Sequence, residues 1–257
     1  MIRGVSRRTI LLGASGLLTS GIIVANWPRI ANPDGGSPLL RFGDGLGRRA
    51  LRLALGNRPL VPEYRLDQVT AFPVDGGFGS PWADDDRSFE TMIANRFRDW
   101  QLTVEGLVAK PTRFTLDEIR AMPSRTQVTM HCCDMGWSAI GQWTGVPLRW
   151  LLEFVGIQPK ARYIVFHCLD RFRGQLHYGS IDVLDALHPQ TILAHSMNGQ
   201  PLPRGHGAPL RLRVELQLGY KNSKHIDRIS VVESLAGIGL GQGGSFEDAG
   251  SLWYGGW

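Results

Sequence analysis

Two adjacent cysteines, Cys132 and Cys133, stand where a strand-like run meets a loop rich in tryptophan and glycine. Three chemistries are open to Cys133 on residue type and spacing. It can be a small buried hydrophobe, as free cysteines often are. It can be a nucleophile, with His131 or His167 as its base. It can be a soft thiolate ligand to a metal, needing no second cysteine if a cofactor supplies the other ligands. A disulfide with Cys132 is disfavoured, because neighbouring residues rarely reach the required geometry. A zinc site from His131, Cys132 and Cys133 lacks a Cys-x-x-Cys or His-x-x-x-His partner.

A second group of chemically capable residues lies downstream. Arg211 carries a planar fork suited to an oxyanion. Lys221, Asn222, Ser223 and Lys224 form a small polar loop bracketed by two cations. Taken alone, Lys-x-x-Lys is a weak signal, usually a solvated surface. The glycine-rich run Gly237 to Gly244 is not a dinucleotide fingerprint, since it lacks the strand–turn–helix context and a downstream acid.

The elements that must position these residues are readable from periodicity. Gln127 to Met130 predicts a strand running into His131, and Cys133 to Trp143 reads as a loop. Pro147 suits a first helical turn, with Leu148, Leu151, Leu152 and Val155 on one face and Gly156 ending the helix. Upstream, Gln101 to Val108 predicts a strand, and Thr115 with Glu118 a capping box opening a short helix. Downstream, Ala161 to Cys168 predicts a buried strand and Leu169 to Gly174 a loop. Val183 to Leu187 reads as a short helix, and Thr191 to Met197 as a strand ending in an Asn198-Gly199 turn.

These residues also carry a resemblance. Cys133-Asp-Met-Gly-Trp137-Ser138, then Trp143-Thr-Gly-Val-Pro147-Leu148, resembles the molybdenum-ligand segment of the sulfite oxidase family. The likeness runs from about Trp100 to Glu233 and is again specific at Met197-Asn-Gly199, Pro201-Leu-Pro203 and Gly207-Ala-Pro209-Leu-Arg211. It is similar above all to the bacterial periplasmic members, which include sulfoxide reductases. The resemblance implies a mixed-sheet α+β molybdopterin-binding domain, without haem or a C-terminal dimerisation domain. It implies Cys133, not Cys132, as the metal ligand, because the family cysteine stands four residues before the tryptophan.

The same resemblance places Asn95 near the metal, with Arg98 and Asp99 at the pterin-contacting positions that follow. Cys168 takes the place of a small polar residue that hydrogen-bonds the cofactor. His206 and Arg211 take the pterin-binding positions around Gly-Ala-Pro, and Lys221, Asn222, Ser223 and Lys224 the phosphate loop. Asp170 and Arg171 fall on the substrate side, and Arg171 joins Cys133 and Asn95 as a candidate catalytic residue. Arg96, Arg98 and Arg173 are further candidates for holding an anion.

The whole chain has 257 residues, enough for one large domain. Its net charge of +5 includes Arg3, Arg7 and Arg8, within a segment that has no acid. No basic stripe argues for nucleic acid. Ser6-Arg7-Arg8 followed by the apolar Thr9 to Ala25 is a twin-arginine export pattern, so residues 1–25 read as a signal. Ile10 stands where Phe is common, no Lys follows, and no clean cleavage site appears, which leaves a retained membrane tether open. Residues 26–90 read as irregular linker and wrapping segment, 91–235 as the molybdopterin domain, and 236–257 as a glycine- and aromatic-rich tail packing on it.

The expectation is therefore an exported, periplasmic molybdenum–molybdopterin oxidoreductase. It transfers an oxygen atom to or from a small-molecule sulfur oxide, sulfoxide or sulfite. It is expected to be monomeric apart from a separate electron-transfer partner, a membrane or soluble cytochrome, because no haem-attachment motif is present. The thiol enzyme using Cys133 as nucleophile and a non-catalytic binding module on the same fold remain the alternatives.

Overall fold

A computed structural model describes residues 60–76 and 87–256. The expected signal segment and most of the linker lie outside these residues. In chain order the elements are α1 (Arg87–Ala94), β1 (Gln101–Gly106), β2 (Thr112–Thr115), α2 (Leu116–Ala121), β3 (Arg125–Cys132), β4 (Ser138–Pro147) and α3 (Leu148–Val155). Then come β5 (Tyr163–Phe172), β6 (Gln175–Asp182), α4 (Val183–Ala186), β7 (Ile192–Met197), β8 (Gln200–Pro201), β9 (Arg211–Arg213), β10 (Ile226–Val232) and α5 (Ser245–Asp248).

The strands form two sheets. One runs β2-β1-β10-β5-β6, the other β3-β4-β7-β8 with β9 also on β7. Among the described residues only the β1–β10 pairing is parallel; the rest are antiparallel. This is the mixed α+β architecture expected.

The main core draws inward residues from both sheets and from α2 and α3. On α3, Leu148, Leu151, Leu152 and Val155 are fully buried, as their spacing predicts. Each contributes about 2 kcal/mol by leaving water. Gly156 closes the helix at φ 69°, a left-handed cap suited to glycine. The capping box at α2 forms as read: the Thr115 hydroxyl accepts from the Glu118 N–H, and the Thr115 N–H donates to the Glu118 carboxylate.

Two sequence expectations need correcting. The loop read over Cys133 to Trp143 is mostly strand: only the turn after Cys133 is loop, and β4 begins at Ser138. In β4, Gly145 marks a close approach rather than a turn. A Cβ on Gly145 would lie 2.1 Å from the Leu193 carbonyl oxygen, where the β4–β7 register shifts. The loop read over Leu169 to Gly174 is the end of β5 and its hairpin turn, with Arg173 and Gly174 at φ 51° and 79°. Arg171 therefore stands on a strand.

Residues 60–76 are irregular apart from one short 3-10 turn at Leu66–Gln68. They are tied to the second sheet, since Tyr64 N–H donates to Val128 O (2.8 Å) and Thr70 N–H to Ile140 O (3.0 Å). The tail packs through Trp253, which joins Val165, Tyr178 and Leu235 in a small cluster. Trp253 Nε1–H donates to Ser180 Oγ at 2.9 Å.

Replacing Gly145 by alanine drives a methyl into the β7 backbone. The expected loss is about 2–3 kcal/mol of stability, read as a lower unfolding midpoint in urea. An unchanged midpoint would show that the two strands can part without cost.

Candidate functional site

A cavity of about 310 Å³ opens where the β3 end, the β5–β6 hairpin and the Gly219–Lys224 loop meet. Of the expected site residues, Cys133, Arg171, Arg211, Asn222 and Lys224 line it, as do Asp170, His131, Trp137 and Asp75.

Cys133 sits in the turn after β3. Its N–H donates to Trp137 O at 2.9 Å, and Gly136 N–H donates back to its carbonyl at 3.2 Å. This fixes the four-residue offset to Trp137. The thiol faces Asp75 Oδ2 at 3.4 Å and accepts from the Met135 N–H at 3.4 Å. Burial first, and then the thiol's contact with the Asp75 carboxylate, push its pKa up to about 12. Cys132, by strand alternation, does not line the cavity.

The opposite wall is cationic. Arg211 on β9 is fully buried. One of its nitrogens donates to His206 O at 2.9 Å, and its buried Nε has no partner among the described residues. Arg213, two positions on, is equally buried and forks onto Glu215, with Nε–Oε1 3.0 Å and Nη2–Oε2 2.5 Å. Both guanidiniums approach the Trp143 ring, at 4.8 and 4.5 Å. Lys224 is nearly buried, and its ammonium donates to the carbonyls of Asp75 (2.5 Å), Gly76 (2.9 Å) and Gly205 (2.9 Å). Burial and then Arg211 lower its pKa to about 7. Arg213 is paired with Glu215 and Lys224 lies near Asp170 and Asp75, but Arg211 has no ion pair among the described residues. Such a pocket is far more stable around an anion.

The remaining expected residues fall into two groups. Ser223 and Cys168 lie just behind the wall. Ser223 Oγ is buried without a sound hydrogen bond, although the Cys168 thiol is close enough to feel it. The Cys168 sulfur, the Asp170 carboxylate and the His177 ring gather within 4.8 Å of one another. Burial, followed by Asp170 and Asp227, pushes the Cys168 thiol well up. Burial works against the Asp170 carboxylate, but His177, His225 and Lys224 hold it below its usual range. His206 packs edge-on against Phe72, and its buried Nδ1 has no partner among the described residues.

Four expected residues are occupied by local structure. Asn222 Oδ1 accepts from Val214 N–H (2.9 Å) and its Nδ2 donates to Leu218 O (3.0 Å), so it braces the loop while touching the cavity. Lys221 points to the tail: its ammonium donates to Glu247 in a buried ion pair and lies 5.0 Å from the Trp253 ring. Asn95, just after α1, donates to Asp99 at 2.6 Å and is not among the cavity-lining residues, although its Oδ1 is buried and has no partner among the described residues. Arg171 is exposed at the mouth, with Nη1 donating to Gly174 O at 3.0 Å.

Sequence reasoning missed Asp75, Arg213 and Glu215, and gave His131 only the role of a base. The spacing Arg211-x-Arg213-x-Glu215 alternates charge with leucine and valine, a period-two signal of a polar inner wall. Asp75 reaches Cys133 from 58 positions away, which no local pattern shows. His167, the other base considered, bonds Ser230 Oγ across the sheet at 3.0 Å and does not line the cavity.

Comparison with known proteins fits this wall. The model of the oxidoreductase molybdopterin binding domain matches residues 90–236, more than half of the chain. The chain belongs to this molybdopterin-binding family, that of the sulfite oxidases. Its cofactor is molybdopterin with molybdenum, and it is a molybdenum-dependent oxidoreductase. A putative protein-methionine-sulfoxide reductase subunit of Azospira oryzae is 41% identical over 77% of this chain and 68% of its own. The protein-methionine-sulfoxide reductase catalytic subunit of Xanthomonas axonopodis is 33% identical over 66% of this chain. The chain spans 56% of that relative's length. In fold it is similar to the sulfane dehydrogenase SoxCD of Paracoccus pantotrophus, at TM-score 0.50 and 24% identity, over 53% of this chain and 39% of that one.

The buried orphans fit the family's cofactor: Arg211 Nε, Ser223 Oγ and His206 Nδ1 await acceptors or donors around a cationic wall that faces a cysteine. The site also stiffens the pH response. Burial lowers His225 to about 4, from an ordinary 6.5. The unfolded chain therefore binds a proton that the folded one refuses between those values, so stability falls as pH drops from 6.5 to about 4. For the fully buried His225 this is on the order of 3 kcal/mol. Urea unfolding at several pH values should show that decline, with a gentler slope in His225→Asn. A flat profile in the parent protein would contradict it.

Proposed function

We propose that this chain is an exported molybdoenzyme that transfers an oxygen atom at a Cys133-ligated molybdenum, acting as a reductase of sulfoxides. The observation that carries the reading is the buried wall of Arg211, Arg213 and Lys224 opposite Cys133, a thiol that burial keeps protonated. That thiol is a poor nucleophile at neutral pH and becomes a thiolate only when a metal displaces its proton.

When bound, the cofactor supplies a metal that accepts an oxygen atom from a sulfur oxide with a two-electron change. The net reaction is sulfoxide plus two electrons and two protons, giving thioether and water. The protein's residues position the parts. Cys133 Sγ holds the metal. Arg211, with the Ser223 and Lys224 loop, holds the anionic end of the pterin. Asp170 and His177 on the hairpin form a polar wall, and Arg171 stands at the mouth.

The reductase direction draws on the relatives named as protein-methionine-sulfoxide reductases. The name "catalytic subunit" among them supports a separate electron-delivering partner, here taken as a cytochrome. Periplasmic delivery rests on Ser6-Arg7-Arg8. Replacing Arg7 and Arg8 by lysine should hold cofactor-loaded protein in the cytoplasm. Unchanged delivery would reject the twin-arginine route.

Purified protein should carry about one molybdenum and one pterin per chain. Cys133→Ser should cut turnover at least a thousandfold and remove one metal–sulfur bond from the X-ray absorption spectrum, while Cys132→Ser leaves both nearly unchanged. Sulfoxides with reduced viologen should turn over, and sulfite with a ferric acceptor should not. The reverse preference would overturn the reductase reading and leave the metal centre standing.

A further inference from the structure

We propose that His131 is a cofactor-binding residue: a neutral imidazole with its tautomer fixed from behind, whose Nε2–H donates to an electron-rich acceptor in the metal's coordination sphere. The proposal rests on molybdenum being held at Cys133, as argued above.

The argument starts at Glu215, whose side chain is wholly buried. Arg213 covers both of its oxygens, and Gln127 Nε2 adds a third donor to Oε1 at 2.9 Å. The carboxylate is thereby saturated and Arg213 is locked in its plane. The remaining Arg213 nitrogen, Nη1, lies 2.6 Å from His131 Nδ1. A guanidinium has no lone pair to offer, so Nδ1 must be the acceptor. The single ring proton of the neutral imidazole is then on Nε2. The second-position partner of a histidine sets which nitrogen faces outward, and here it is an arginine that leaves no choice.

The ring cannot turn to escape this assignment. It packs against Phe72 at 5.2 Å and Trp137 at 5.4 Å, between ring centroids. Nε2 has no hydrogen-bond partner among the described residues, while the ring lines the cavity. Nε2 is therefore a donor presented to the cavity.

The backbone shows where the acceptor belongs. A Cβ on Gly219 would come 2.8 Å from His131 Nε2 and 3.3 Å from Cys133 Cα. The Gly219 main chain is thus packed closely against both the imidazole and the main chain of the metal ligand, which puts Nε2 beside Cys133 at the cavity edge. An acceptor that meets Nε2 in the cavity is a neighbour of the metal held there. A donor fixed at that point draws electron density from the atom it touches, so the metal's electronic state reports its presence. Arg213 and Glu215 act through His131 and are positioning residues.

The test combines loading with spectroscopy. Wild type, His131→Gln and His131→Phe are purified, melted, analysed for molybdenum and pterin, and poised in the paramagnetic Mo(V) state for electron paramagnetic resonance. Glutamine keeps an N–H near the Nε2 position. This variant should retain wild-type loading and g-values. His131→Phe should melt as a folded protein, hold metal about tenfold more weakly, and show shifted g-values with loss of a coupled exchangeable proton. Wild-type loading and an unchanged spectrum in His131→Phe would overturn the proposal, as would a shift in His131→Gln equal to that in His131→Phe. Wild-type protein without molybdenum would instead reject metal ligation at Cys133, a failure visible before any variant is made.

Discussion

An excess of buried positive charge organises this structure. Arg211, Arg213 and Lys224 come from two segments that pair with each other. Glu215 answers Arg213 and Asp170 lies near Lys224, while Arg211 has no ion pair among the described residues. Ion pairs in protein interiors hold only when geometry and hydrogen bonding compensate the loss of water. Here the compensation is partial by construction. Trp143 offers its face to both guanidiniums, backbone carbonyls take the lysine, and the rest of the demand points into the cavity. The sheets, the α3 helix and the wrapping segment can be understood as the frame that keeps water from satisfying that demand.

The fold was legible where one period persisted. The α3 helix showed its buried face, its glycine stop and its start beside Pro147, because nothing long-range competes with a four-residue apolar stripe. The strand into Cys133 was legible for the same reason. Gly141 was misleading, because a glycine packed against a tryptophan ring within a strand and a glycine in a turn look alike until the neighbour is known.

The site was legible residue by residue to a lesser degree. Cys133, Arg211 and Lys224 come together around one space although nearly a hundred positions separate the first from the last. Lys221 belongs to the same sequence motif as Lys224, yet alternation in the short turn sends it the other way, into an ion pair with Glu247. A motif fixes composition; the local winding decides which side each member faces. Asp75 and the Glu215 relay depend on contacts between segments remote in the chain, and no local rule anticipates them.

The Lys221–Glu247 pair has a consequence for the order of events during synthesis. The loop that carries Ser223 and Lys224 is braced from beneath by a carboxylate 26 positions further on, and by Trp253 beyond it. Until that stretch has left the ribosome, Lys221 would be a cation in an apolar setting and the loop would have no floor. The strands of the first half can pair as they emerge, since a chain folds largely in the order it is made. The anion-facing wall cannot. The frame assembles early, and the surface that receives the cofactor waits for Glu247 and Trp253 to arrive.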